Sequence, residues 1–292
     1  VKPPSESCVI CGNKSYTQKL ICQDYTVSNE KFGVFSCDNC GFQITSPRPD
    51  EKVIGKYYQS ENYVSHSNKS FGLISSVYRM VRKIALGQKY NLLKPYLNGK
   101  KLLDIGCGTG AFLAYMNNKG LDGVGVEPDE TARKNAEKLF QVSPKTEAYL
   151  NEVESNTFDL ITMWHVLEHV YHLEERIQTL YKILKIDGTV CIAVPNPESY
   201  DAQFYKTHWA AYDVPRHLYH FRPQDIEALM QKHGFKLEKM IPMKFDAFYV
   251  SMLSEKYAGS SFSFFKGAFR GLISNLRAKN GFYSSQIYLF RK

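Results

Sequence analysis

From residue 100 onward the chain alternates between two kinds of segment, and this alternation limits the fold more than any other feature. KLLDIG (101–106), DGVGVEP (122–128), FDLITMW (158–164) and TVCIAVPN (189–196) are short apolar runs of strand length. Between them lie AFLAYMNNKG (111–120), DETARKNAEKLF (129–140) and LEERIQTLYKILKIDG (173–188), whose apolar residues recur at helical spacing. Asp129 stands at the N-cap position of the second of these, and Gly120 and Gly188 stop the other two. RPQDIEALMQKHG (222–234) predicts a further helix, and FKLEKMIPM (235–243) and QIYLFRK (286–292) predict two further strands. Strands joined through helices by short links pair in parallel. The expected fold class is therefore α/β, a mostly parallel sheet with helices on both faces.

The first hundred residues follow different rules. Cys8-x-x-Cys11 and Cys37-x-x-Cys40 are each followed by a glycine, Gly12 and Gly41. Four thiolates complete a tetrahedron around Zn²⁺, and such a closed site is structural. Two disulfides are the alternative, which a reducing compartment disfavours. Cys22, Cys107 and Cys191 read as small buried apolar residues. SPRPDE (46–51) is a breaker cluster, and ISSVYRMVRKIAL (74–86) is helical. The expected division is a zinc-ribbon-like module over 1–48, a helical connector over 49–99 and one α/β domain over 100–292.

A hydrophobic content of 43% with 23% charged residues describes an ordinary soluble globular protein, and no apolar run nears the ~20 residues of a membrane-spanning helix. VKPPSES is no signal peptide, so a cytoplasmic location is expected. Residues 1–99 carry 13 Lys/Arg against 7 Asp/Glu, residues 100–200 carry 10 against 15, and residues 201–292 carry 14 against 7. Basic flanks around an acidic middle suit a partner with phosphates or an anionic membrane, or are solvated lysines.

LLDIGCGTGAF follows the first strand of the α/β region. Gly106, Gly108 and Ala111 fit G-x-G-x-x-[GA], a dinucleotide fingerprint that is weak alone. Asp104 would crowd a pyrophosphate, and Gly110 makes the loop G-x-G-x-G. Such a loop suits a ligand with an amino-acid end and no pyrophosphate. Glu127 ends the next strand, placed to accept from two ribose hydroxyls.

On these residues the chain resembles the class I S-adenosylmethionine-dependent methyltransferases, whose glycine motif is matched by Asp104, Gly106, Gly108 and Gly110 and whose ribose-binding acid is matched by Glu127. The resemblance covers about residues 100–292 and implies a Rossmann-like methyltransferase fold. It implies S-adenosylmethionine contacts from Asp104, Gly106, Cys107, Gly108, Gly110, Glu127 and Pro128, with Trp164 and His165 bordering the adenine. Thr146 or Glu147 stands where the family offers an acid to the adenine. The two cysteine knuckles, the P-x-P step and the YY…Y segment look like bacterial methyltransferases of sugar and glycan pathways. That likeness makes Tyr58 and Tyr63 candidates for the acceptor pocket, with core packing the alternative.

MWHVLEHV (163–170) begins where the fourth strand ends, at the sheet edge where ligands bind. On a helix His165, Glu168 and His169 would share one face. A second polar knot, HWAAYDVPRHLYHF (208–221), follows the fifth strand. Three readings of the cluster compete. A histidine acts as general base; or a divalent ion is held by the cluster and completed by His217 or His220, which resembles the E-x-x-E-H face of ubiquinone-pathway and small-RNA 3′-end methyltransferases with His165 in place of the first Glu; or the residues form a scaffold. The scaffold with His165 as base is preferred, and Arg216 with His217 is expected to bind the acceptor. Phe262, Phe265, Phe269, Leu272, Ile273 and Leu276 line one face of a basic helix over 262–277, which either packs on the domain or lies on an anionic membrane. The activity expected is methyl transfer from S-adenosylmethionine to a small-molecule, sugar or lipid-linked glycan acceptor, with RNA as the alternative acceptor.

Overall fold

The computed structural model describes residues 1–59, 73–278 and 281–292, with the backbone alone described over 73–81. Among the described residues ten strands form two sheets. β1 (Tyr16–Gln23), β2 (Lys31–Cys37) and β3 (Gln43–Ser46) come first; β4 (Lys101–Ile105), β5 (Asp122–Val126), β6 (Phe158–Trp164), β7 (Leu184–Pro195), β8 (Tyr219–His220), β9 (Lys236–Pro242) and β10 (Ser285–Arg291) follow. The larger sheet runs β5-β4-β6-β7-β10-β9. β5, β4, β6 and β7 are mutually parallel, and β10 is antiparallel to both its neighbours. The helices are α1 (Leu73–Leu93), α2 (Ala111–Asn118), α3 (Glu130–Phe140), α4 (Tyr149–Glu152), α5 (Leu173–Ile183), α6 (Tyr200–Tyr205), α7 (Pro223–Lys232), α8 (Asp246–Tyr257) and α9 (Ser263–Arg277).

The central strands are apolar on both faces because both faces are covered. Leu103, Ile161, Met163, Val190 and Ile192 enter one core, while Leu102, Leu160, Cys191 and Ala193 enter the other. Asp129 caps α3 by accepting from the Ala132 amide at 2.6 Å. The helix expected over 173–188 stops at Ile183, and Leu184–Asp187 extend β7 instead. Leu184 pairs with Phe158, and Lys185 Nζ donates to Asp159 Oδ1 at 2.8 Å, so strand pairing overrides local helical spacing.

The smaller sheet has the order β1-β2-β3-β8, so it takes its last strand from beyond residue 200. Cys8, Cys37, Phe42 and Ile44 share one core with β4 and β6. On the other side Cys22, Phe32 and Val34 pack with Trp209, Tyr212 and Val214. Arg216 binds these parts together and is 1% exposed. Its guanidinium donates to both Asp213 oxygens at 2.9 and 2.6 Å, to Asp24 Oδ1 at 3.0 Å and to the Tyr57 carbonyl at 2.8 Å. Asp24 is itself 1% exposed and also accepts from the amides of Thr26, Val27 and Ser28. Removing the cation leaves two carboxylates without their charge partner, so Arg216→Ala is expected to lower the unfolding free energy by about 3–5 kcal/mol. Urea denaturation measures it; a loss below about 1 kcal/mol, as for a surface pair, would show that the knot is not what ties the parts together.

Candidate active site

The loop after β4 is built around positive φ: 69° at Gly106, 54° at Gly108 and 77° at Gly110. A Cβ on Gly106 would meet Val166 Cγ2 at 2.4 Å, and one on Gly110 would meet Val142 Cγ2 at 2.4 Å, so both positions require glycine on two counts. Gly108 faces open space, which leaves room for a ligand against its backbone. Its amide donates to Glu127 Oε2 at 2.9 Å, and the Asp129 amide donates to Oε1 at 3.0 Å. The Glu127 carboxylate is thus oriented with one lone pair per oxygen to spare. Burial raises its pKa, partly opposed by these two amides. Arg133 donates to the carbonyls of Glu127 and Pro128, each at 2.7 Å. The Cys107 thiol lies against Gly125.

Asp104 is buried beneath the loop and accepts from Thr162 Oγ1 at 2.7 Å. Burial pushes its pKa up to about 7, against the pull of Thr162 and Lys89. Lys89, from α1, holds its ammonium 3.8 Å from the Trp164 ring centroid. Burial lowers the Lys89 pKa, opposed by Asp104 and Asp246. Trp164 meets Phe112 edge to face, and its buried indole N–H has no partner among the described residues. Glu147 ion-pairs with Arg176 and is exposed, so its carboxylate is engaged away from the adenine role expected of this segment.

The MWHVLEHV segment is not an α-helix. His165 has φ 56°, and Leu167–His169 form a single 3₁₀ turn. The backbone instead leaves β6 with the His165 amide donating to the Ala193 carbonyl at 3.0 Å. The turn sends the histidines different ways. His165 lies between two carboxylates, with Nε2 2.8 Å from Asp246 Oδ2 and Nδ1 3.3 Å from Glu168 Oε1. Burial works against its charge, but Asp246 and Glu168 outweigh it and push the pKa up to about 10. A ring held in its charged form by two carboxylates has no lone pair with which to take a proton, which weighs against the base role expected of His165.

Glu168 is 1% exposed, and among the described residues neither of its carboxylate oxygens has a well-directed hydrogen-bond partner, although His165 Nδ1 lies 3.3 Å away. Burial raises its pKa, but His165, His217 and His169 hold it low. His169 Nδ1 is 3.0 Å from the Arg216 carbonyl and 3.1 Å from Tyr58 Oη. His217 Nδ1 is 2.8 Å from the Ala211 carbonyl. A carbonyl only accepts, so each neutral ring carries its proton on Nδ1 and its lone pair on Nε2. Burial, with His169 adding to it, lowers the His217 pKa to about 4. Glu168, His169 and His217 each place a donor atom within 4.8 Å of the others. His220 is not part of this group: its Nε2 lies 3.0 Å from Thr45 Oγ1 in the small sheet.

Arg216 cannot act as the expected acceptor clamp, because its planar fork is taken up by Asp213, Asp24 and Tyr57 inside the protein. Tyr58 reaches the cluster through His169, and Tyr63 lies outside the described residues. Lys89 and Asp246 belong to the site but carry no local motif; each stands in or at the start of a helix remote in sequence from the loops it meets. At the other end of the chain, Cys8, Cys11, Cys37 and Cys40 bring their sulfurs together, with Sγ–Sγ distances of 3.5 Å for Cys8–Cys40 and for Cys11–Cys37. Zinc–sulfur bonds of about 2.3 Å give a tetrahedral edge of about 3.8 Å, close to this spacing.

Comparison with known proteins agrees with this architecture. The ubiquinone biosynthesis O-methyltransferase of Rattus norvegicus is 28% identical over 169 residues, covering 52% of this chain and 49% of that protein. The corresponding protein of Acinetobacter baylyi is 27% identical over 166 residues, covering 51% of this chain and 69% of its own length. The chain spans about half the length of the mitochondrial relatives it matches. Among solved structures, a SAM-dependent methyltransferase from Archaeoglobus fulgidus superposes with a TM-score of 0.51 at 22% identity over 72% of this chain and 94% of that one. Magnesium protoporphyrin IX methyltransferase from Synechocystis gives 0.53 at 14% identity over 83% of this chain and 100% of its own. These two share the fold. The profile of the methyltransferase domain matches residues 79–240, more than half of the chain and the whole of β4 through β8, and the chain belongs to that family.

Proposed function

We propose that this chain is an S-adenosylmethionine-dependent methyltransferase acting on a small-molecule acceptor. The observation that carries the reading is the Gly106–Gly110 loop with Glu127 oriented beside it by two amides. Bound there, S-adenosylmethionine would supply an electrophilic methyl group: the carbon–sulfur bond would break as the carbon–acceptor bond forms, S-adenosylhomocysteine would leave as a neutral thioether, and the acceptor's proton would pass to water. The protein's part is largely positioning. Glu127 holds the ribose, the opening over Gly108 admits the amino-acid end, and Asp104 faces its ammonium with negative charge. The Lys89 ammonium, with no hydrogen bond or ion pair among the described residues, suits the carboxylate. Trp164 borders the adenine. The relatives' activity, O-methylation in ubiquinone biosynthesis, supports a small-molecule oxygen acceptor; a sugar or glycan carrying a hydroxyl meets the same chemistry.

His165, paired with Asp246 and Glu168, keeps the two carboxylates from repelling each other and fixes the wall of the acceptor side. A second reading has a specific observation behind it. Glu168, His169 and His217 would hold a divalent cation, the two carbonyl-anchored rings presenting Nε2 and Glu168 supplying a carboxylate with no well-made hydrogen bond. Such an ion supplies Lewis acidity toward an acceptor hydroxyl. The four N-terminal cysteines hold a structural zinc, which stabilises a segment too small to bury a core alone.

Three measurements test these assignments. Calorimetry with S-adenosylhomocysteine should show Glu127→Ala losing about 1.5–3 kcal/mol of affinity. In the same assay affinity should rise as pH increases through about 7, because the ligand's α-ammonium favours ionised Asp104, and Asp104→Asn should flatten that rise; an unchanged Glu127→Ala, or a preference for NAD, defeats the cofactor assignment. Elemental analysis should find one zinc per chain, lost in the Cys37→Ser, Cys40→Ser double variant; zinc that stays would place it elsewhere. Under the scaffold reading, activity should survive EDTA, and Glu168→Gln and His217→Ala should lower the thermal midpoint. Turnover that vanishes with EDTA while the cysteine zinc stays bound, and returns with Mg²⁺ or Mn²⁺, would establish the metal reading instead.

A further inference from the structure

Helix α9 is amphipathic in the reverse of the usual sense. Its small residues Gly267, Gly271 and Ser274 are buried, and its large apolar residues point outward. The inner seam is tight. A Cβ on Gly267 would meet Met252 Cα at 2.3 Å, one on Gly271 would meet Phe248 Cα at 2.7 Å, and Ser274 Oγ donates to Asp201 Oδ1 at 2.7 Å. The helix is therefore docked in a fixed rotation. On the opposite side Phe262, Phe265, Phe269, Leu272 and Leu276 follow one another at helical spacing, and Phe264 adds to them. Phe265 is 73%, Phe269 62% and Leu276 74% exposed. The charged residues of this helix are Lys266, Arg270 and Arg277, all cations. Arg270 Cζ sits 3.9 Å from the Phe204 ring centroid and Arg277 Cζ 4.9 Å from that of Tyr200, which hold these cations beside the apolar stripe.

We propose that this face of α9 docks on the surface of an anionic lipid bilayer, with the phenylalanine and leucine stripe entering the headgroup–acyl boundary and the three cations meeting lipid phosphates. An apolar stripe flanked only by positive charge is the pattern of an interfacial helix. A second copy of the chain is a poorer occupant, since apposing two such faces brings like charges together. Among the described residues no helix is long and apolar enough to cross a membrane, so the contact is peripheral. α9 lies along α8, whose first residue, Asp246, pairs with His165. The docking face is thus one helix removed from the candidate active site. The inference goes beyond the methyltransferase reading and does not depend on it.

Co-sedimentation of the full chain with vesicles tests it. The protein should pellet with phosphatidylcholine containing phosphatidylglycerol, less with phosphatidylcholine alone, and less as salt rises. The Phe265→Ser, Phe269→Ser, Leu276→Ser triple variant should need at least about ten-fold more anionic lipid for half-binding, since it removes three large apolar side chains from the contact. Its S-adenosylhomocysteine affinity and thermal midpoint should stay at the parent's values, because all three residues are exposed. Phe265→Trp, which keeps the face apolar, should show fluorescence quenched by lipids brominated along the acyl chain. A parent protein that remains in the supernatant with anionic vesicles, a triple variant that pellets like the parent, or a Phe265→Trp signal untouched by brominated lipid overturns the proposal. So does a dimer in sedimentation velocity that the triple variant abolishes without any lipid binding by the parent, which would make the occupant a second copy.

Discussion

The buried guanidinium of Arg216 is the contact on which the arrangement of the rest depends. It joins Asp24 in the turn after β1, Tyr57 ahead of the residues that precede α1, and Asp213 in the loop that leads to β8. Arg216 and Asp24 are removed from water there and Asp213 is partly so, and each buried charge is tolerated only because its partners are present. The local consequence reaches the site. The carbonyl of Arg216 receives Nδ1 of His169, and the next residue, His217, supplies the ring that meets His169 edge to face at 4.6 Å. The residue that anchors the small sheet thereby also fixes the tautomer of His169 beside β6.

The site contains two acidic environments with opposite electrostatics. Asp104 is buried with little compensation, and its pKa rises to about 7. Glu168 faces His165, His217 and His169, and Asp246 faces His165 and Lys89, so both pKa values fall despite burial. The first suits a group that gains its charge when a cationic ligand arrives. The second suits carboxylates that are charged throughout and either brace His165 or share a metal ion. Lys89 and Trp164 sit between the two, next to each other at 3.8 Å, where the donor and acceptor halves of a transfer site would meet.

Much of the α/β half was legible in the chain because its signals are local. Both faces of β4, β6 and most of β7 are buried, so their residues are predominantly apolar. The glycine loop could be read because positive φ at Gly106 and Gly110, with Val166 and Val142 against them, tolerates no side chain. The place of Glu127 beside this loop was legible because it ends the second parallel strand, on the edge of the sheet where the loop lies. The cysteine pairs were legible because the spacing of a knuckle is set by one tight turn, closed here by Gly12 N–H to Cys8 O and Gly41 N–H to Cys37 O.

What the chain left open depended on partners distant in sequence. Arg216 is surrounded by residues that look like an acceptor site, and only Asp24, 192 positions away, shows that its charge is spent internally. The histidine segment has helical spacing, yet the exit from β6 and the pull of Asp246 and Arg216 place His165 and His169 in separate networks. Lys89 and Asp246 carry no motif at all. For α9 the chain showed an apolar stripe but not its direction. That was decided by Gly267 and Gly271, whose lack of side chains lets α8 approach so closely that the phenylalanines have nowhere to go but outward. Local pattern determined the elements, the loop and the cysteine quartet; long-range charge pairing and close packing decided which polar groups remain available for chemistry and which apolar ones face away from the core.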